Sequence, residues 1–150
     1  MEKFRRIRVL FSDHLGLARG KYQPINSALG EAKFCMSLYG LTYDKQLLPV
    51  PGSGLLDGLP DVVAKYKEEN IRPSWETNTG IVIPDLEFKG EPLSHCGRNA
   101  LKKTIAQFEA IGLTPYIGIE LEAYVFEKNG DENWVPYNTP GAYVYGTGAK

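Results

Sequence analysis

The chain has 150 residues, 43% hydrophobic, 11% aromatic and 23% charged, a size that supports one sizeable core and excludes a large multidomain assembly. Seventeen Lys and Arg against eighteen Asp and Glu leave a formal net charge of -1 with no block of like charge, which argues against a nucleic-acid or anionic-membrane surface. Two cysteines, Cys35 and Cys96, are too few for a disulfide framework or a Cys-rich zinc site, so a reducing compartment is expected.

At the amino terminus the apolar run from Ile7 to Phe11 has the length of a strand and is too short for a secretory signal. No stretch approaches the roughly 18 apolar residues of a membrane span, and the mean hydropathy is -0.28. A cytoplasmic protein with no membrane partner is the expectation. Arg5 to Asp13 and Arg19 to Gln23 read as two strands of a hairpin turning at Gly16, with Pro24 breaking the second. Ala32 to Tyr39 is a third extended segment. GLTYDKQLLPVPGSG follows, and Pro49, Pro51, Gly52 and Gly54 make it a long shaped loop.

A short helix is predicted from Pro60 to Lys67, with Pro60 in its first turn and Val62, Val63 and Tyr66 on one face. Gly80 to Pro84 reads as a buried strand, and LEFKGEPLSHCG as a strand end and loop. From Arg98 to Ile111 the apolar set Leu101, Ile105, Phe108 and Ile111 recurs at helical spacing, and Gly112 ends the helix. Thr114 to Phe126 alternates strictly and predicts a long strand; Asn129, Gly130 and Asp131 then turn the chain toward a last segment at Ala142 to Tyr145. The change in texture near residues 90 to 98 marks a boundary between two units.

Glu120 and Glu122 are the informative pair. Two residues apart in a strand, they would share a face at about 6.6 to 6.8 Å between Cα atoms, with Ile119, Leu121, Ala123 and Val125 on a buried opposite face. Carboxylates so placed can hold two neighbouring Mg²⁺ or Mn²⁺ ions, can work as an acid and base pair, or can form the solvated outer face of a half-buried strand. His14 and His95 read as loop histidines rather than as catalytic or metal-binding residues. Cys35 reads as core and Cys96 as partly exposed; Trp75 and Trp134 read as packing anchors or subunit contacts. GTGAK near the end lacks the spacing of a phosphate-cradling loop.

GIELEAYVF, preceded by a helix and GLTPYI, resembles the glutamine synthetase signature in which a helix leads into a G-x-E-x-E strand. FSDHLGLARGKYQP is similar to that family's first hairpin, and HCGRNALKKTI to the segment opening its catalytic domain. The three occur in the family's order and span most of the chain. The resemblance implies an α+β fold, with a β-grasp-like amino-terminal domain over residues 1–95 and the first helix and strands of the catalytic domain over 96–150. It implies a ligase that uses ATP to phosphorylate the glutamate γ-carboxylate and then joins it to ammonia or an amine. By motif position Glu120 would bind the metal shared with the nucleotide phosphates, and Glu122 the metal nearer the glutamate.

The family's ammonium-binding Asp-Gly-Ser-Ser turn is replaced here by LYGLTYDKQLLPVPGSG, which offers only Asp44 or Asp57, and either Asp also reads as a turn or capping residue. Arg19 to Lys21 (RGK) look more like relatives that use organic amines. The family's remaining metal, phosphate and nucleotide residues lie beyond this stretch, so the expectation is an incomplete amino-terminal part of a ring-forming homo-oligomer, with Leu41 to Gly54 at a subunit interface. The rival expectation is a non-catalytic β-grasp-like binding module or a truncated inactive product.

Overall fold

A computed structural model describes residues 4–28, 30–130 and 132–137. The chain divides into two compact units, Met1–Pro115 and Tyr116–Lys150. The expected segment at Ala142 to Tyr145 lies outside the described residues.

In the first unit, β1 (Arg6–Ser12) alternates, so that Ile7, Val9 and Phe11 point inward and are buried. It pairs antiparallel with β2 (Ala18–Pro24), Leu10 facing Gly20, as the hairpin reading requires. A side chain at Gly20 would bring its Cβ to 2.4 Å from the Val9 carbonyl oxygen, so only glycine permits this close approach. On its other side β1 runs parallel to β6 (Thr79–Val82), the core of the predicted Gly80 to Pro84 strand. The two-residue β5 (Arg72–Pro73) completes a four-stranded sheet in the order β2-β1-β6-β5.

A second four-stranded sheet has the order β3-β4-β7-β8, from β3 (Glu31–Cys35), β4 (Asp61–Lys65), β7 (Asp85–Phe88) and β8 (Glu91–Pro92). The predicted extended segment from Ala32 thus stops at Cys35 and continues as a 3-10 turn, Met36–Gly40. The predicted helix at Pro60 to Lys67 is instead β4. Val62 and Ala64 are buried while Asp61 and Lys65 are exposed, a period of two, and the strand pairs on both sides, Phe34 with Val62 and Leu86 with Ala64. A central strand buries alternate residues, and Val-Val-Ala meets that demand with two β-branched residues. The long loop stays irregular apart from an isolated bridge between Leu41 and Leu47 and a 3-10 turn at Leu55–Asp57.

Both sheets feed one core: Ile7, Val9, Phe11 and Val82 from the first meet Ala32, Val62, Ala64 and Leu86 from the second. Each fully buried Val, Ile or Leu contributes on the order of 1.5 to 3 kcal/mol. Phe11 and Phe34 lock edge to face, with centroids 4.9 Å apart and planes at 82°.

The predicted helix forms as α1 (Gly97–Ala110), and Gly112, at φ 76°, takes the left-handed conformation that ends it. Its first turn is tied to β7. Asp85 accepts from Arg98 Nε at 2.9 Å and Lys102 Nζ at 2.6 Å, and Asn99 Nδ2 donates to the Leu86 and Leu93 carbonyls at 2.7 and 3.1 Å. Burial opposes the charged form of Asp85, yet those two bonds and the charges of Lys102 and Arg98 outweigh it and hold its carboxyl below the usual range. No residue of the helix is buried, and Leu101, Phe108 and Ile111 lie open.

The second unit contains one hairpin, β9 (Phe126–Lys128) with β10 (Trp134–Pro136), closed at Asn129 where the turn was expected. The predicted strand from Thr114 has no ladder before Phe126, because no strand among the described residues pairs with it. Its expected buried face is exposed: Ile119, Leu121 and Val125 all face solvent. No described helix is long and apolar enough to cross a membrane.

Candidate functional site

Glu120 and Glu122 sit in the unpaired stretch of the second unit, both exposed. Among the described residues no three His, Cys, Asp or Glu side chains gather where they can hold a metal ion. Two carboxylates suit a hard cation in kind, and fall short of the six or more oxygen ligands it takes. The pair therefore fits as part of a metal site.

One end of the first unit gathers a group of titratable side chains. There the β1-β2 turn, the Met36–Gly40 turn and the lead-in to α1 converge on Tyr39. Its ring lies between His14 and His95, with centroids 5.6 and 5.9 Å away. The Tyr39 hydroxyl is buried without a hydrogen-bond partner. Burial, with the nearby charges of Cys96 and Asp13, pushes that phenol up to about 12, so it stays protonated at neutral pH. A cleft of about 350 Å³ lies alongside, lined by Tyr39, Ser53, Glu91, Ser94 and His95. Tyr43 links the long loop to the same turn, its hydroxyl donating to the Leu15 carbonyl at 2.7 Å.

Asp13 organises that turn. Its Oδ1 accepts from the Leu15 and Leu17 backbone N–H groups at 2.9 and 3.0 Å, and its Oδ2 from Arg19 Nε at 2.6 Å. Sequence reasoning saw Asp13 only as part of a hairpin, and Arg19 as part of that hairpin and of the RGK run; the signal it missed is a carboxylate closing a strand just before a tight turn, a favoured place for an Asp that bonds its own backbone. Tyr39 carried no such signal.

The remaining candidates separate. Asp44 accepts from the Thr42 hydroxyl and from Gln46 Nε2, and Asp57 from the Gly54 N–H at 3.1 Å, so both make turns. Of the RGK run, Arg19 serves Asp13 and Lys21 Nζ lies 4.7 Å from the Phe34 ring centre. Cys96, expected partly exposed, is buried beneath the α1 lead-in. Cys35, expected in the core, is half-buried, its thiol 3.0 Å from the Ser37 hydroxyl. Trp75 and Trp134 are exposed and pack against Arg8 and Lys128 from the outside, where the sequence suggested anchors or subunit contacts.

No protein-family model matches the chain. Over 133 residues it is 30% identical to type-1 glutamine synthetase 2 of Dictyostelium discoideum, a match that takes in 82% of this chain and 25% of that protein. Over 131 residues it is also 30% identical to glutamine synthetase of Pyrococcus horikoshii, taking in 86% of this chain and 27% of that one. The chain belongs to the glutamine synthetase family. It spans about a quarter of the length of the curated relatives it matches. Its mixed helix-and-sheet fold is similar to that of ligand-free GmaS, with a TM-score of 0.54 and 24% identity over 73% of this chain and 25% of that one. A GmaS complex with ADP gives 0.53 and 23% over 73% and 24%.

Within this glutamine synthetase family chain, then, the residues gathered at the Tyr39 end belong to the first unit and the Glu pair to the second.

Proposed function

We propose that this chain serves in an ATP-dependent ligase of glutamine synthetase type, which joins the γ-carboxylate of glutamate to ammonia or an amine. The observation that carries the reading is the extent of the family match, 30% identity over 82% and 86% of this chain. On this reading the first four-stranded sheet and its partner form the β-grasp-like domain, and residues 96–150 open the catalytic domain. The active protein is a ring of identical subunits in the cytoplasm, with the loop from Leu41 to Gly54 at the interface.

The reaction has two displacements. A γ-carboxylate oxygen of glutamate attacks the γ-phosphorus of ATP and expels ADP, giving γ-glutamyl phosphate. The amine nitrogen then attacks the acyl carbon, phosphate leaves with the C–O bonding pair, and the nitrogen loses a proton. The barrier in the first step is charge crowding on phosphoryl oxygens, which positioning and electrostatics relieve. Glu120 would supply an oxygen to the divalent ion, Mg²⁺ or Mn²⁺, nearer the nucleotide, and Glu122 to the one nearer glutamate; such ions neutralise phosphate charge.

The test is glutamate-dependent ADP release by the full-length protein with ammonium or small primary amines, together with Mn²⁺ titration. Glu120→Gln and Glu122→Gln should each lower turnover by about 100-fold or more and weaken Mn²⁺ binding while the circular dichroism stays unchanged. Turnover within about twofold of wild type in both variants overturns the metal assignment. No glutamate-dependent ADP release with any amine overturns the ligase.

A further inference from the structure

The outer face of the first sheet carries a feature the ligase reading does not use. Since Ile7 and Val9 face the core, Arg6 and Arg8 stand on the opposite side of β1. The register sets Tyr22 of β2 across from Arg8 and Ile81 of β6 on its other side; Arg72 of β5 pairs with Ile81 and so shares the row. After β5 the chain folds back. Ser74 N–H donates to the Thr79 carbonyl at 2.9 Å and Thr79 N–H to that of Glu76 at 3.3 Å, which fixes Trp75 and Glu76 beside β1.

The result is an alternating stack, Trp75, Arg8, Tyr22, Arg6. The Arg8 guanidinium lies 4.8 Å from the Trp75 ring centre and 5.7 Å from that of Tyr22, and Arg6 lies 4.4 Å from Tyr22. Stacking occupies the flat faces of a guanidinium and leaves its in-plane N–H groups for carboxylates. Within the patch Arg6 Nε donates to the Thr79 hydroxyl at 3.0 Å, while among the described residues the outer N–H groups of Arg6 and Arg8 approach only the Glu76 carboxylate. Both Glu76 oxygens accept the Tyr22 hydroxyl, at 2.7 and 2.9 Å, and lie 3.7 and 3.9 Å from Arg6 and Arg8, too far for hydrogen bonds. Among the described residues, Arg72 bonds only the backbone carbonyls of Glu69 and Ile71. Among the described residues one carboxylate, Glu76, thus lies beside two guanidiniums, with Arg72 in the same row, on a chain whose net charge is -1.

Trp75 is 74% exposed and Tyr22 44%, both on strands or a tied turn. Trp, Tyr and Arg are the residues that dominate protein-binding hot spots, and their stacking has already removed much of the side-chain freedom that binding would cost. The adjoining hollow, about 240 Å³ in volume, is smaller than the roughly 300 to 1,000 Å³ of small-molecule sites. The surface suits an extended partner.

We propose that this face docks an acidic, aromatic-bearing peptide segment of a partner protein, its carboxylates on Arg6, Arg8 and Arg72 and its ring on the open side of Trp75. The proposal is independent of the ligase reading. Its test is fluorescence anisotropy of a rhodamine-labelled octapeptide of six glutamates, a tryptophan and a phenylalanine, titrated with the full-length protein. A control peptide carries lysines in place of the glutamates. Saturable binding of the acidic peptide is expected, weakened roughly tenfold by raising NaCl from about 20 to about 300 mM. Arg8→Ala and Arg72→Glu should each weaken it by a similar factor. Arg72 lies outside the core, so its variant keeps the test decisive if Arg8→Ala fails to fold. No saturation up to about 1 mM protein, equal binding of the lysine peptide, or unchanged affinity in the folded variants overturns the proposal. So does a change of oligomeric state in Arg72→Glu, which would make the face a contact between copies of this chain.

Discussion

At the scale of single residues, Asp13 shows how one buried charge shapes a turn. Its side chain has no exposure, and Arg19, its ion-pair partner, is 29% exposed. Burial alone would raise its pKa; the Arg19 bond, the Leu17 and Leu15 N–H groups and the Arg19 charge overcome that and hold the carboxyl below its usual value. A depressed folded pKa means stability that is fully present above the unfolded value, near 3.9, and is lost as the pH falls through the folded one. Asp13→Asn keeps the shape and, with its amide oxygen in the Oδ1 position, both turn N–H bonds, but it turns an NH2 donor toward Arg19 Nε and leaves Arg19 without its counter-charge. Urea unfolding at pH 7 should show a loss of about 2 to 3 kcal/mol, the lower part of the range for a half-buried pair. The gap should narrow as the pH drops below about 4. Equal stability at pH 7, or a gap that does not change with pH, would contradict this role.

At the scale of elements, β4 and α1 show what can and cannot be read along a chain. Val62 and Val63 at adjacent positions satisfy a helical face when Tyr66 is added, and they satisfy a central strand when β3 and β7 supply ladders on both sides. Only the long-range pairing decides, and local periodicity over five residues does not contain it. The strand predicts unequal roles for the two valines. Val62→Ala, at a fully buried position, should cost about 2 kcal/mol, and Val63→Ala, on the half-buried opposite face, less than about 1 kcal/mol. Near-equal losses in chemical denaturation would speak for a shared face and against the strand. The first hairpin, α1 and the Asn129 turn were legible because each is a local device: alternation around a glycine, apolar spacing ended by Gly112, and Asn-Gly chemistry. Glu120 and Glu122 stood out in the sequence only as a motif. Asp44 and Asp57, equally acidic, turn out to serve their own loops, and nothing in their neighbours' identities distinguished the two cases. Tyr39 was invisible, since its surroundings come from His14 and His95, far away along the chain.

At the scale of the whole molecule, burial is confined to one stretch. Every buried position among the described residues falls between Ile7 and Cys96, although the first compact unit runs on to Pro115 and includes α1. The helix is held by Asp85 and Asn99 at its first turn and by no buried apolar side chain. Beyond it, residues 113–125 have neither ladder nor burial, while Ile117, Ile119, Leu121 and Val125 present apolar surface to water. Local stability follows apolar contact and shielded hydrogen bonds, so it should fall in three steps along the chain. In hydrogen exchange of the 150-residue chain, amides of β1, β4 and β6 should be the slowest, opening only with the core. Those of α1 should be intermediate, protected by their own intrahelical bonds but released by fraying from the Ala110 end, where no residue is buried. Amides of residues 113–125 should exchange close to their unstructured rates, apart from the Leu113 N–H, which donates to the Phe108 carbonyl at 3.0 Å. Protection from Ile119 to Val125 equal to that of β4 would mean that the alternating segment finds a strand partner, which only another chain or another part of the protein can supply.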